Sequence, residues 1–342
     1  MISFSTDDLR PQDRFDHWCE VRGKSLFGVT IELERERRAD FHGRFTAVAI
    51  GNAVLAEMTA SSYRVSRTTA DIARVSGNSL SIGLQIRGPG HMETGRGRVL
   101  SVREGDIAVS HSEQAYAGTP ERNDGFHFRT LKIPLTGDTV LGARAHDITP
   151  EPLTRGARLT PLVSAMFTAL TERPARSADP AKDIAHIARL AMIARGRLPA
   201  GLPESRAALR AGFLHAARNI MARDLHRPGL TPAAVSAALG ISLRQMHVLF
   251  EPTGRSFART LTAMRLEKAR QLLETMPSRP TADVAYACGF DSIATFYRVF
   301  RAAYGMTPGD VRATSLNACA VVVWLWLRCH RLSKDSAFQP SR

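Results

Sequence analysis

The stretch GFDSIATFYRVF, Gly289–Phe300, joins a tight turn to a helix. Gly289-Phe290 makes the turn and Ser292 carries a helix N-cap side chain. Phe296, Val299, Phe300 and Ala303 recur at i, i+3, i+4 and i+7, the buried face of an α-helix. A similar stretch, GISLRQMHVLF, occupies Gly240–Phe250. In both copies a Val stands five residues before the Gly (Val235, Val284), and a Phe stands eight after the capping Ser (Phe250, Phe300). The copies differ in one detail. Gly240 and Ser242 are two residues apart, Gly289 and Ser292 three.

Each copy is preceded by a short run rich in small residues. Ala233–Leu239 opens with Thr231 as N-cap and Pro232 at the first helical position, and Gly240 stops it. Ala282–Cys288 repeats the pattern, with Ala285 and Ala287 as the small residues. Small residues let a second helix cross closely, and a Gly turn sends the chain into it. That is a helix-turn-helix, present twice. In the first copy Met246, Leu249 and Phe250 face inward, leaving Arg244, Gln245 and His247 free. In the second, Ala294, Thr295 and Arg298 are free and Tyr297 lies near the edge. Arg pairs bidentately with guanine and Gln with adenine in the major groove. Ser242 and Ser292 begin helices whose first N–H groups suit phosphate. Between the copies, Ser256–Leu273 reads as one helix with Phe257, Leu261, Met264 and Leu272 down a face. Its 18 residues span about 27 Å, and successive major grooves lie about 34 Å apart. A rod of that length can present two reading helices to adjacent grooves.

Charge agrees with a polyanion partner. The formal net charge is +14 over 342 residues. Residues 206–312 hold 15 Lys and Arg against 7 Asp and Glu, whereas residues 1–205 hold 27 against 24. A solvated polar face on an ordinary bundle would explain one such motif. Two of them in the basic third of the chain argue for nucleic acid.

The N-terminal part reads differently. RFTAVAIGNAVLAEM, SLSIGLQIRG and FHFRTLKIPL are short β-rich runs broken by Gly, Asn and Pro. RVLSVREGDIAVSHS is a strand, a Glu-Gly-Asp turn and a second strand, a hairpin signal, and GRGRVL at Gly95 reads as another hairpin turn. Strands at such spacing suggest a barrel or sandwich, with Asp8–Leu26 as a helix packed on it. From about residue 153 the period becomes helical. LTPLVSAMFTALTE and AKDIAHIARLAMIARG are amphipathic and suit either a dimer interface or a lid on the barrel. The expected architecture is α+β and multidomain. Residues 1–175 form a mostly β domain with a barrel or sandwich core, 176–205 a helical linker or dimerisation element, 206–312 the all-α DNA-binding domain with motifs at 231–250 and 281–300, and 313–342 a tail.

Other classes find little support. Cys19, Cys288, Cys319 and Cys329 are scattered and form no CxxC pair, which speaks against a disulfide framework or zinc site. The acidic start MISFSTDDLRPQDRFDHW has no apolar core of a signal peptide. The apolar run ACAVVVWLWL, Ala318–Leu327, is too short to span a bilayer. A cytoplasmic, nucleoid-associated protein is expected. A metal-dependent cupin enzyme needs a His-x-His pair with further ligands. Here His91, His111 and His127 stand alone, so no metal, cofactor or catalytic residue is expected. No Gly-rich phosphate loop or GxSxG appears. A protein that compacts DNA without sequence preference is the other alternative.

The chain from 230 to 312 resembles the AraC/XylS family of bacterial transcription regulators. The resemblance rests on LGISLRQMHVLFEPTGRSFARTLTAMRLEKARQLL and VAYACGFDSIATFYRVFRAAYGMTPGDVR. It implies contacts to bases and phosphates from Ser242, Arg244, Gln245 and His247 in one reading helix, and from Ser292, Ala294, Thr295 and Arg298 in the other. Val248 departs from the basic residue that many members carry there. Ile293 is apolar where polar residues are common. Residues 1–175 resemble, more weakly, the family's cupin-like sensing domain. The resemblance implies a small-molecule effector, promoter DNA and RNA polymerase as partners, and activation as the outcome.

Overall fold

The protein is described from a computed structural model, over residues 1–75, 77–95, 97–136, 145–172 and 177–313. The run Ala318–Leu327, with Cys319 and Cys329, lies outside them. The chain divides into two compact units, Met1–Ala216 and Ala217–Arg342.

The first unit is built on two antiparallel sheets. The larger contains β1 (Ile2–Ser5), β3 (Gly43–Ile50), β4 (Ala53–Ala60), β6 (Ser79–Arg87), β9 (Ile107–His111), β11 (Phe126–Pro134) and β12 (Glu151–Pro152), in the order β1-β3-β4-β11-β6-β9-β12. The smaller contains β2 (Thr30–Glu32), β5 (Arg64–Arg67), β7 (Gly90–Thr94), β8 (Arg98–Val102) and β10 (Tyr116–Pro120), in the order β2-β5-β10-β7-β8. Alternation along β11 assigns the two faces of the larger sheet. Leu131 and Ile133 point one way into an apolar core, whereas Phe128, Thr130 and Lys132 point the other way and line an interior cavity. A second core gathers on that other face around Trp18, Phe41, Phe45 and Met58.

The expected N-terminal helix is present in part. α1 (Pro11–Trp18) continues in wide π-type turns through Cys19–Phe27 and ends at Gly28 with φ 58°. A short α2 (Thr69–Arg74) is closed by a reciprocal capping box between Thr68 and Asp71. The Gly95 turn does join a hairpin, β7 to β8. The hairpin expected over residues 98–112 is not one. β8 pairs with β7 in the smaller sheet, while β9 pairs with β6 in the larger. The turn at Glu104-Gly105-Asp106 is a corner between sheets. Gly105 N donates to Gln85 O at 2.7 Å, and Asp106 N donates to Arg103 O at 3.0 Å. Tight-turn chemistry is the same whether the next strand folds back or crosses over, so the local sequence could not separate them.

α3 (Thr160–Glu172) and α4 (Pro180–Ala194) are the two amphipathic helices. Their apolar faces cover the larger sheet. Val163, Met166, Phe167, Ile184, Ile187 and Leu190 join Leu80, Ile82, Leu131 and Ile133 in one core, and each such side chain contributes roughly 1.5–3 kcal/mol by leaving water. α5 (Pro203–Asp224) follows, and the division between the units falls within it.

The second unit holds α6 (Pro232–Leu239), α7 (Leu243–Phe250), α8 (Phe257–Thr275), α9 (Thr281–Ala287) and α10 (Ile293–Tyr304). The expected caps are in place. Thr231, Ser242, Ser256 and Ser292 each accept from the backbone N–H three residues on, and Gly240 ends α6 in the left-handed region. Four expected core positions differ, of which Val299 is only partly buried. Ala303 is exposed, and Met264 and Leu272 of α8 are only partly buried, the fully buried set being Phe257, Leu261, Leu266, Ala269 and Leu273. α8 serves two cores on different sides. Phe257 packs edge-on against Phe250 of α7, while Leu266, Ala269 and Leu273 pack with Phe296 and Phe300. Leu261 and Leu266 are about 140° apart around the helix axis, so one straight stripe cannot describe the helix. Among the described residues no single helix is long and apolar enough to cross a membrane. Cys19 and Cys288 are free thiols, each pushed up to about 11 by burial.

Candidate nucleic-acid interface and interior cavity

The chain turns through 104° between Pro232–Leu239 and Leu243–Thr253, within the range of a helix-turn-helix. Met246, Leu249 and Phe250 anchor α7. Its other side is exposed and carries Arg244, Gln245 and His247. In the second copy Phe296 and Phe300 anchor α10, with the Phe290 ring tilted against Phe296 at 5.0 Å between centroids. Ala294, Thr295 and Arg298 are exposed. Arg244 and Arg298 make no ion pair among the described residues. By contrast, Arg270 on α8 is tied to Glu274 at 2.8 Å. The helix tips therefore present cations with no internal partner.

The two N-termini differ. Ser292 Oγ accepts from Thr295 N at 3.3 Å. Ser242 Oγ accepts from Gln245 N at 3.1 Å, and Gln245 Oε1 accepts in return from Ser242 N at 2.9 Å. The second bond occupies the amide oxygen that a bidentate contact to adenine would use. In the free protein Gln245 is a capping residue, and the N–H groups of Leu243 and Arg244 remain for a phosphate. Ser242→Ala is expected to cost about 1 kcal/mol of stability, read as a lower urea midpoint at unchanged slope. The structure adds three exposed apolar side chains on the reading helices, Leu243 (46%), Val248 (43%) and Tyr297 (39%). Leu243 was not among the expected site residues. Its signal was its place directly after Ser242, matching Ile293 after Ser292.

The first unit encloses a cavity of about 240 Å³ between its sheets. Phe27, Val65, Tyr116, Phe126 and Phe128 supply apolar wall, and Arg22, Arg67 and Lys132 also line it. Two histidines expected to stand alone have neighbours. His127 Nε2 lies 2.6 Å from Glu57 Oε1. His111 meets His146, with ring centroids 4.6 Å apart, and Glu113 is close to both. Both nitrogens of His111 are engaged, Nδ1 by the N–H of Glu113 at 3.2 Å and Nε2 by Asn78 Oδ1 at 3.3 Å. Burial lowers its pKa first, and His146 adds to that. His111, Glu113 and His146 also offer ligand atoms within 4.8 Å of one another, a spacing that could hold a metal ion.

Comparison with known proteins follows the same division. A helix-turn-helix domain model matches residues 235–314. An AraC-binding-like domain model matches residues 18–195, more than half of the chain. The chain belongs to the AraC/XylS family of transcription regulators. Among curated relatives it is 36% identical over 95 residues to the transcriptional activator NphR of Rhodococcus sp, which is 28% of each chain. It is 39% identical over 80 residues to the transcriptional activator RhaS of Escherichia coli (strain SE11), 23% of this chain and 28% of that protein. The chain therefore spans less than a third of the length of these relatives. Among solved structures the AraC-like activator CuxR aligns over 84% of this chain and 99% of its own, at 17% identity and a TM-score of 0.45.

Proposed function

We propose that this protein is an effector-responsive activator of transcription that binds specific promoter DNA through two adjacent major grooves. The observation that carries the reading is the duplicated helix-turn-helix. Two short helices, each anchored by buried aromatics and free on its other side, are joined by the 19-residue α8. That helix is roughly 28 Å long at 1.5 Å per residue. Ser242, Arg244, Gln245 and His247 on α7, with Ser292, Ala294, Thr295 and Arg298 on α10, are the contacting residues in this reading. Arg244 and Arg298 read bases or hold phosphates, while Ala294 and Thr295 allow close approach and a methyl contact.

In this reading the cavity of the first unit takes a small metabolite. Its binding shifts the protein between states only if the two states differ in affinity for it. RNA polymerase is the partner recruited at the promoter, and the protein acts on nucleoid DNA in the cytoplasm. A homodimer through α3 and α4 would have to use their exposed faces, because the apolar faces are buried against the sheet.

The test is a footprint of the purified protein on the region upstream of its own operon, with nonspecific competitor DNA. Protection spanning two consecutive helical turns is expected, with steep dependence on salt. Protection of one turn, or binding that competitor DNA removes completely, would overturn the reading in favour of a single contact or a compaction protein.

A further inference from the structure

The cavity wall is unevenly charged. Among the described residues its acid is Asp106, already paired with Arg155 at 2.5 Å and accepting from Arg103 N at 2.8 Å. Its cations are less well matched. Arg67 donates to the carbonyls of Phe27, Gly28, Val75 and Ser112 at 2.5–2.7 Å. These neutral groups satisfy its N–H bonds without cancelling its charge. Arg22 is 7% exposed. Its Nη2 donates to the thioether of Met58 at 3.3 Å, while Nε and Nη1 have no hydrogen-bond partner. Its guanidinium lies 4.9 Å from the Phe27 ring centroid. Lys132 makes no hydrogen bond or ion pair among the described residues, and burial, with Arg67 nearby, lowers its pKa.

Around Lys132 the donors converge. The point where a side chain on Gly77 would begin lies 3.6 Å from Lys132 Nζ, 3.6 Å from Ser112 Oγ and 3.8 Å from Ser79 Oγ. Ser79 Oγ is buried without a hydrogen-bond partner. Ser112 Oγ accepts from Ser79 N at 3.0 Å, which leaves its own proton to donate. An ammonium and two hydroxyls thus lie around one point, Lys132 has no ion-pair partner among the described residues, and a buried charge needs a counter-charge. From Lys132 the same face of β11 runs past Thr130 to Phe128, roughly 13 Å in four residues. Phe128 pairs in register with Met58, which holds Arg22. The slot is apolar in the middle and cationic at both ends, with room for about eight waters at ~30 Å³ each.

We infer that this cavity binds a small organic anion, a carboxylate on an apolar or aromatic body. The carboxylate sits at Lys132 and Ser112, and the body lies along Phe128 toward Arg22. The inference deepens the sensor reading above and rests on it for its regulatory meaning.

The experiment uses the full-length protein and titration calorimetry with matched probes. These are acetate, phenylacetate, benzoate and naphthoate, each beside its neutral amide and its amine. At least one aryl carboxylate is expected to bind while its amide and amine do not. Lys132→Met should weaken that binding at least tenfold, as loss of a charge-assisted bond does. The same variant should raise the melting temperature of the ligand-free protein, because an uncompensated buried cation is removed. Ser112→Ala provides a second reading, with weaker binding of the same carboxylate. No binding by any carboxylate, equal binding by amides or amines, or undiminished binding by both variants would overturn the inference. Carboxylate binding that leaves promoter affinity and transcription unchanged would keep the anion site and overturn the regulatory reading.

Discussion

Gly289→Ala is expected to destabilise the second unit far more than Gly240→Ala, although the two glycines hold equivalent places in the duplicated motif. Both sit in the left-handed region, at φ 80° and 62°, and there any other L-residue costs about 1–2 kcal/mol. Their surroundings differ. A Cβ on Gly240 would meet nothing within 4 Å. A Cβ on Gly289 would lie 2.3 Å from the carbonyl oxygen of Leu225 and 3.0 Å from Arg265 Nε. Neither can give way cheaply. Arg265 Nε donates to that same carbonyl at 2.9 Å, and its Nη2 donates to Arg227 O at 2.6 Å. These bonds clamp the loop after α5 onto α8. With the overpacking added, Gly289→Ala should cost about 2–5 kcal/mol against about 1–2 for Gly240→Ala. Urea unfolding of the two purified variants measures the difference. Equal midpoints would mean that the clamp yields freely and that the close approach has no energetic weight.

This pair of glycines shows what the sequence could and could not reveal. Everything local was legible. Thr231, Ser242, Ser256 and Ser292 mark helix starts because the bond each makes is only three residues long. The turn at Gly289 was legible too. The contact that makes it irreplaceable comes from Leu225, far away in the chain, and no local pattern records it. The same limit explains the corner misread as a hairpin, since the partner of β9 is β6 rather than its sequence neighbour β8. It explains the shifted stripe on α8, where two cores claim different sides of one helix. The exposed sides of α7 and α10 were legible because one amphipathic helix separates its own faces. The cavity was not, because Arg22, Lys132 and Ser112 come from a helix, a strand and a loop. Exposure of Leu243 and the capping role of Gln245 likewise follow from packing and from a side-chain choice that spacing leaves open.

Arg298→Ala is expected to weaken promoter binding by about 1–3 kcal/mol, roughly five- to 150-fold, if its guanidinium reads a base. The case rests on position and on what Arg298 lacks. It stands on the free side of α10, two residues past the buried Phe296 that fixes the helix, and no carboxylate among the described residues competes for it. Arg298→Lys separates the two ways it could act. Lysine keeps a point charge and loses the planar fork. A phosphate contact should survive the change with little loss, whereas a bidentate base contact should not. Removing a phosphate contact should also lower the salt slope by about one while weakening all sequences alike. Removing a base contact should instead relax preference at one position. Arg270→Ala is the control, because that arginine is also exposed on this unit but is held by Glu274. Promoter affinity that falls equally in both variants would show a general charge effect. Affinity unchanged in Arg298→Ala would remove Arg298 from the interface and leave α10 without a cation on its reading face other than Arg301, one turn further from the N-terminus.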